Sequence, residues 1–130
     1  MSDRVALVRR FYDAFNRQDL DAFVSTLHPQ VELQTARGVR EGREEARAWA
    51  TRKPSGELHQ RLVVDAIRDE GRHVIVFGRR EWFWREEGDV ADAHDLVIVA
   101  TIGEGGLIER WQPFDDREAA LAAAGVPLDS

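Results

Sequence analysis

Residues Gly78 to Gly88, GRREWFWREEG, follow His73-Val74-Ile75-Val76-Phe77 without a break and read as the second half of one long strand. Side chains alternate across a strand, so His73, Ile75, Phe77, Arg79, Glu81 and Phe83 share one face. Val74, Val76, Gly78, Arg80, Trp82 and Trp84 share the other. Both sets carry large apolar groups, and a half-solvated antiparallel strand would show one polar face, so this strand is expected to be covered on both sides. Arg79 and Glu81 are then set into an otherwise apolar surface, about 7 Å apart along the strand. That is close enough for an ion pair that keeps both charged.

Composition narrows the setting. A chain of 130 residues, 43% of them hydrophobic, fits a single domain with one core spanning residues 1–130. The net charge is −6, with both signs mixed along the chain. No basic stripe is left to release counterions from nucleic acid, so no nucleic-acid partner is expected. The absence of cysteine excludes disulfides and thiol chemistry and fits a reducing compartment. Met1-Ser2-Asp3-Arg4-Val5 runs straight into a helical pattern without a signal peptide, and no apolar run approaches membrane-spanning length. A soluble, cytoplasmic protein with no membrane partner is the expectation.

Val5, Val8, Phe11, Tyr12 and Phe15 recur at helical spacing, and Asp19 offers an N-cap for a second helix from Leu20 to Leu27, ended by His28-Pro29. Val31 to Thr35 alternates as a short strand, and Gly42 precedes a helical run from Arg43 to Arg52 that Pro54-Ser55-Gly56 ends. Four β runs follow, Leu58–Arg68, Arg72–Arg85, Val90–Ile102 and Leu107–Phe114, joined by the hairpin links Asp69-Glu70-Gly71, Glu86-Glu87-Gly88-Asp89 and Gly103-Glu104-Gly105-Gly106. Asp115-Asp116 caps a last helix that runs to Ala124 and closes at Gly125-Val126-Pro127. This order predicts an α+β fold in which helices pack over the concave face of a cone-shaped, curved antiparallel sheet.

The segments LVRRFYDAFNRQDLDAFVSTLHPQVEL (Leu7 to Leu33), GREEARAW (Gly42 to Trp49) and GGLIERWQPFDDREAALAAAG (Gly105 to Gly125) cover nearly all of the chain. Through them it resembles the nuclear-transport-factor-2-like, cystatin-like superfamily and, within it, the SnoaL-like proteins. That resemblance implies a pocket between the concave sheet face and the first and third helices. It does not imply one reaction, because the superfamily includes isomerases, dehydratases, cyclases, epoxide hydrolases and proteins without catalytic activity. The tyrosine, aspartate base and protonated aspartic acid of the related ketosteroid isomerases match Phe11, Leu33 and Val97, none of which can donate or abstract a proton. The Arg-x-Asp pair and second aspartate of the limonene-epoxide hydrolases match Arg79, Glu81 and Gln112, so one carboxylate is replaced by an amide.

Alternation assigns Ile75, Phe77, Arg79, Glu81 and Phe83 to the pocket face, with Ala93, Asp95, Val97, Val99 and Thr101 on the next strand and Ile108, Arg110, Gln112 and Phe114 on the last. Glu81, Arg79, Asp95 and Gln112 are the candidate catalytic residues: Glu81 as acid/base, Arg79 tuning its charge, the other two placing polar groups. Phe11, Phe15, Leu33, Trp49, Phe77 and Val97 are the candidate ligand contacts, for a small hydrophobic molecule. Each has a plainer reading, as a structural ion pair, a solvated strand end or ordinary core. His94 and Asp95 are adjacent, so they point to opposite faces and cannot share a pocket, which leaves His94 outside beside Trp82 and Trp84. His28 reads as a loop residue, and His59 and His73 are isolated on strands. No metal-ligand spacing is present, and neither metal nor cofactor is expected. Trp82, Trp84, Leu96, Ile98 and Trp111 form an apolar patch on the opposite face, which predicts a homodimer through the convex side of the sheet. Three functions stay open: an acid/base enzyme of isomerase, cyclase or hydrolase type, a non-catalytic ligand-binding module, and a dimerisation module.

Overall fold

The computed structural model describes residues 3–35, 38–51, 58–84, 90–114 and 116–125. They form α1 (Asp3–Arg17), α2 (Leu20–Ser25), β1 (Leu27–Thr35), β2 (Gly38–Glu41), α3 (Arg43–Ala50), β3 (Leu58–Glu70), β4 (His73–Trp84), β5 (Val90–Ile102), β6 (Ile108–Phe114) and α4 (Arg117–Ala123). In α1, Leu7, Val8, Phe11, Tyr12, Ala14 and Phe15 make one buried stripe at three- and four-residue spacing. The Asp19 carboxylate accepts the Ala22 N–H at 3.2 Å and caps α2, and Asp116 does the same for Glu118 at 2.9 Å on α4. Asp115 and the segment from Val126 onward lie outside the described residues.

The six strands form one curved, unclosed sheet in the order β2-β1-β6-β5-β4-β3. The α+β cone is as the sequence indicates, with one correction: the sheet is mixed, because β1 runs parallel to β6. Short hairpin links fix the direction of consecutive strands only, and these two partners lie at opposite ends of the chain. The first strand also starts at Leu27, inside the stretch read as helix and loop. Tertiary bonds draw it there: the Ile108 N–H donates to the Thr26 carbonyl at 2.9 Å, and Arg43 Nε donates to the Leu27 carbonyl at 2.8 Å. Local periodicity carries no trace of such long-range partners. The short strand β2, whose one apolar side chain is the exposed Val39, was likewise invisible to periodicity.

Apolar residues are packed on both faces of the long strands, but the face that meets α1 and α2 is the other one. Val74 and Val76 on β4, Leu96, Ile98 and Ala100 on β5, Trp111 on β6 and Leu33 on β1 share the main core with Phe11, Tyr12, Phe15 and Phe23. Ile75 and Leu121 form a second, smaller core on the outer face, with Phe77, Val97 and Ala124 packed against it. The helix α4 packs Leu121 against these outer apolar residues. At Gly78 a side chain would overlap the Val63 carbonyl oxygen, because the bulge between Val64 and Ala66 brings the β3 backbone against β4.

Candidate functional site

Arg79 and Glu81 do pair, with Arg79 Nε donating to Glu81 Oε2 at 2.9 Å, but on the outer face. A third residue, missed in the sequence, completes the group: Arg61 Nε and Nη2 both donate to Glu81 Oε1, at 3.0 and 2.7 Å. Arg61 lies over the Phe83 ring, and Arg79 also reaches Asp65 at 3.5 Å. Asp95, directly across from Arg79, is exposed on the same face, and Gln112 lies apart from them, beside Val99. The pocket position assigned to Glu81, Arg79, Asp95 and Gln112 is thus corrected, and so is that of Phe77 and Val97. Both phases of β4 are rich in apolar residues, so alternation alone offered two equivalent choices. The parallel register Leu33↔Trp111 decides between them, because paired residues share a face.

Hydrogen bonds from Arg79 and then Arg61 hold the Glu81 carboxyl below the usual carboxylate range. A carboxyl depressed in the folded state contributes stability that is complete above its unfolded value, about 4.3, and is lost as pH falls through the folded value. Glu81→Gln should therefore lower the urea midpoint at neutral pH, and the difference from wild type should shrink steadily below about pH 4. A difference unchanged down the acid limb would show that Glu81 contributes shape and not charge.

The helix-covered face carries its own polar groups. The Tyr12 hydroxyl, on a residue 3% exposed, accepts a hydrogen bond from Trp111 Nε1 at 3.2 Å. It lines a cavity of about 10 Å³ with Leu62, Val76, Gly78, Leu96 and Ile98, enough for roughly one water. Burial pushes the Tyr12 phenol well above its ordinary value, while the Trp111 hydrogen bond and the Arg80 charge oppose that shift. The phenol stays neutral and keeps its own proton to donate. Further along the same face β5 turns from buried to exposed: Ile98 and Leu96 are core, whereas His94 and Asp92 meet solvent. His94 is the direct cross-strand partner of Arg80, and Asp92 of Trp82. His94 Nε2 lies 3.0 Å from Asp92 Oδ2, so in the neutral ring Nε2 carries the proton and Nδ1 is left as the base.

Sequence reasoning missed Tyr12, Arg80, His94 and Asp92 as one group. It tested His94 against its neighbour Asp95, whereas the carboxylate on the same face is two residues away at Asp92. Phe11, Phe15, Leu33 and Trp49 do gather on the inner face, the first three buried and Trp49 partly buried against them. Ring centroids are 5.4 Å apart for Phe15 and Trp49, 5.3 Å for Trp49 and Trp111, and 6.0 Å for Phe11 and Trp111. Leu96, Ile98 and Trp111, read as a dimer patch, belong to this core, and Trp82 is half-buried on the same face. Leu96, Ile98 and Trp111 are therefore inside the fold and offer no seam to a second copy. The side chains of Trp84 and His59 lie outside those described. Among the described residues no three metal-ligating side chains stand together, and no helix is long and apolar enough to cross a membrane.

Three solved structures are similar over almost the whole length. An NTF2-like protein of unknown function from Burkholderia pseudomallei has 24% identity and a TM-score of 0.73, covering 94% of this chain and 97% of its own. TerC, crystallised with polyporic acid, has 24% identity and a TM-score of 0.71, covering 91% and 95%. An LEH-like epoxide hydrolase from Mycobacterium tuberculosis has 15% identity and a TM-score of 0.72, covering 92% and 87%. At these identities the likeness is one of fold. No curated protein matches the chain. The SnoaL-like domain family matches residues 8–111, the span that carries most of α1, the aromatic core and the polar groups from Tyr12 to Trp111, and the chain belongs to that family.

Proposed function

We propose that this protein binds a small, mostly apolar ketone on its helix-covered face and moves a proton at the carbon next to the carbonyl. The observation that carries the reading is the line of polar groups along that face: the buried Tyr12 hydroxyl, Arg80, and the His94–Asp92 pair about 7 Å beyond Leu96. The ligand's oxygen points toward Tyr12 from above Leu96, which leaves the α-carbon on the His94 side, and its apolar body lies over Leu62 toward the exposed end of β5. His94 Nδ1 takes the α-proton, and the electron pair of the broken C–H bond becomes the enolate. Its oxygen is stabilised by the Tyr12 O–H and by the nearby positive charge of Arg80. Return of the proton from the imidazolium to another position of the enolate gives an isomerisation. Asp92, 3.0 Å from Nε2, orients the ring and holds the tautomer that leaves Nδ1 free. TerC was crystallised with polyporic acid and a further fold relative is an epoxide hydrolase, which supports a small-molecule ligand without defining it.

Tryptophan fluorescence gives the first test, since Trp111 bonds directly to Tyr12. Titration with β-tetralone, an apolar ketone that enolises readily, should give saturable quenching. Tyr12→Phe, which removes one hydrogen-bond donor worth about 1.4 kcal/mol, should bind about tenfold more weakly. Equal binding by the two proteins would remove Tyr12 from the site.

A further inference from the structure

The outer face holds a second concavity, a cleft of about 480 Å³ at the end of the sheet near the β3–β4 and β5–β6 turns. Strand register builds its floor. Glu32 on β1 is opposite Arg110 on β6, Arg110 is opposite Thr101 on β5, and Thr101 is opposite His73 on β4. Four polar side chains thus stand in one row, spaced about 4.8 Å per strand. Arg110 Nε lies 3.4 Å from Glu32 Oε2, and His73 Nδ1 lies 3.2 Å from Thr101 Oγ1. Arg72 Nη2 donates to Glu109 Oε1 at 3.3 Å and closes the rim over the end of β5. Gly103 leaves open the space that the Glu109 carboxylate fills, since a side chain there would overlap it.

The size is that of a small-molecule site, but the walls are polar where such sites are usually apolar. Apolar surface is the minor part of the lining, which disfavours an apolar ligand. An anion would have to displace Glu32 from Arg110 or Glu109 from Arg72. The two guanidiniums and two carboxylates cancel, and each pair still presents donors and acceptors to the cleft. We infer that the cleft binds a neutral, hydroxyl-rich molecule of the monosaccharide class, whose neighbouring hydroxyls both donate and accept along the row.

Backbone amide NMR with glucose, mannose, ribose and inositol in turn, and with inorganic phosphate as the charged control, tests this. At least one neutral sugar should give saturable shifts centred on His73, Thr101 and Arg110, while phosphate gives none there. Thr101→Val and Arg110→Met should each weaken that binding at least tenfold, with an unchanged tryptophan indole spectrum showing an intact fold. β-Tetralone binding should be unaffected in both, which separates this site from the inner one. No saturable shift with any sugar, preferential binding of phosphate, or sugar binding indifferent to both substitutions would each overturn the inference.

Discussion

Replacing Trp111 with alanine is expected to destabilise the protein by about 4 kcal/mol, the upper range for deleting a large buried aromatic side chain. Trp111 is fully buried, packs against Phe11 and Trp49, and donates to Tyr12. Its loss removes contacts from α1, α3 and β6 together and leaves the Tyr12 hydroxyl without its donor. A domain of this size has a total stability of roughly 5–15 kcal/mol, so the variant should unfold at a much lower urea concentration or fail to fold at 37 °C. The substitution also discriminates between the two faces. Had Trp111 lain on a solvent-facing patch, its removal would change the midpoint little and would improve solubility. A loss below about 1 kcal/mol would contradict the packing described above.

The largest effect on chemistry is expected at His94. With a bound ketone in deuterated water, a positioned general base should exchange the α-protons faster than buffer does, and proton NMR of the ketone reads the rate. Removing such a base typically costs a factor of about 100 to 10,000, so His94→Gln should bring exchange down to the buffer rate. Binding should persist, because Tyr12 and the apolar walls are untouched. Asp92→Asn should lose less, since the imidazole remains but its tautomer and orientation are no longer held by a carboxylate. Catalysed exchange that survives His94→Gln would place the base elsewhere. Exchange at the buffer rate in the wild-type protein would leave a binding module without this chemistry.

Helices were legible wherever their partners were local. The stripe from Leu7 to Phe15 and the caps at Asp19 and Asp116 follow from spacing and from short side chains that can reach a backbone N–H. The long antiparallel hairpins were legible for the same reason, since their turns lie between the partners. What could not be read was the phase of β4. Its two faces differ by Ile75 and Phe77 against Val74 and Val76, and hydrophobicity does not rank them. Arg79 and Glu81 looked like pocket residues because charge among apolar neighbours suggests a site, whereas here a third side chain from β3, Arg61, joins them in an ion-pair group on the outer face, with Glu81 buried at its centre. The site suffered from the same choice. Once Val76 and Gly78 face α1, alternation brings Arg80 inward, and cross-strand pairing adds His94 without further assumption. The contact between β1 and β6 carried the missing information, but it joins residues far apart in sequence and leaves no local pattern.

Tyr12 is the one tyrosine of the chain, so protein made with carbon-13 in its tyrosine ring gives a single reporter of the inner site. The most direct measurement follows that resonance through a titration with β-tetralone while tryptophan fluorescence records occupancy in parallel. The resonance is predicted to move in proportion to occupancy and to level off with it. A ketone that saturates the protein while the Tyr12 resonance stays in place would contradict a ligand site on the helix-covered face.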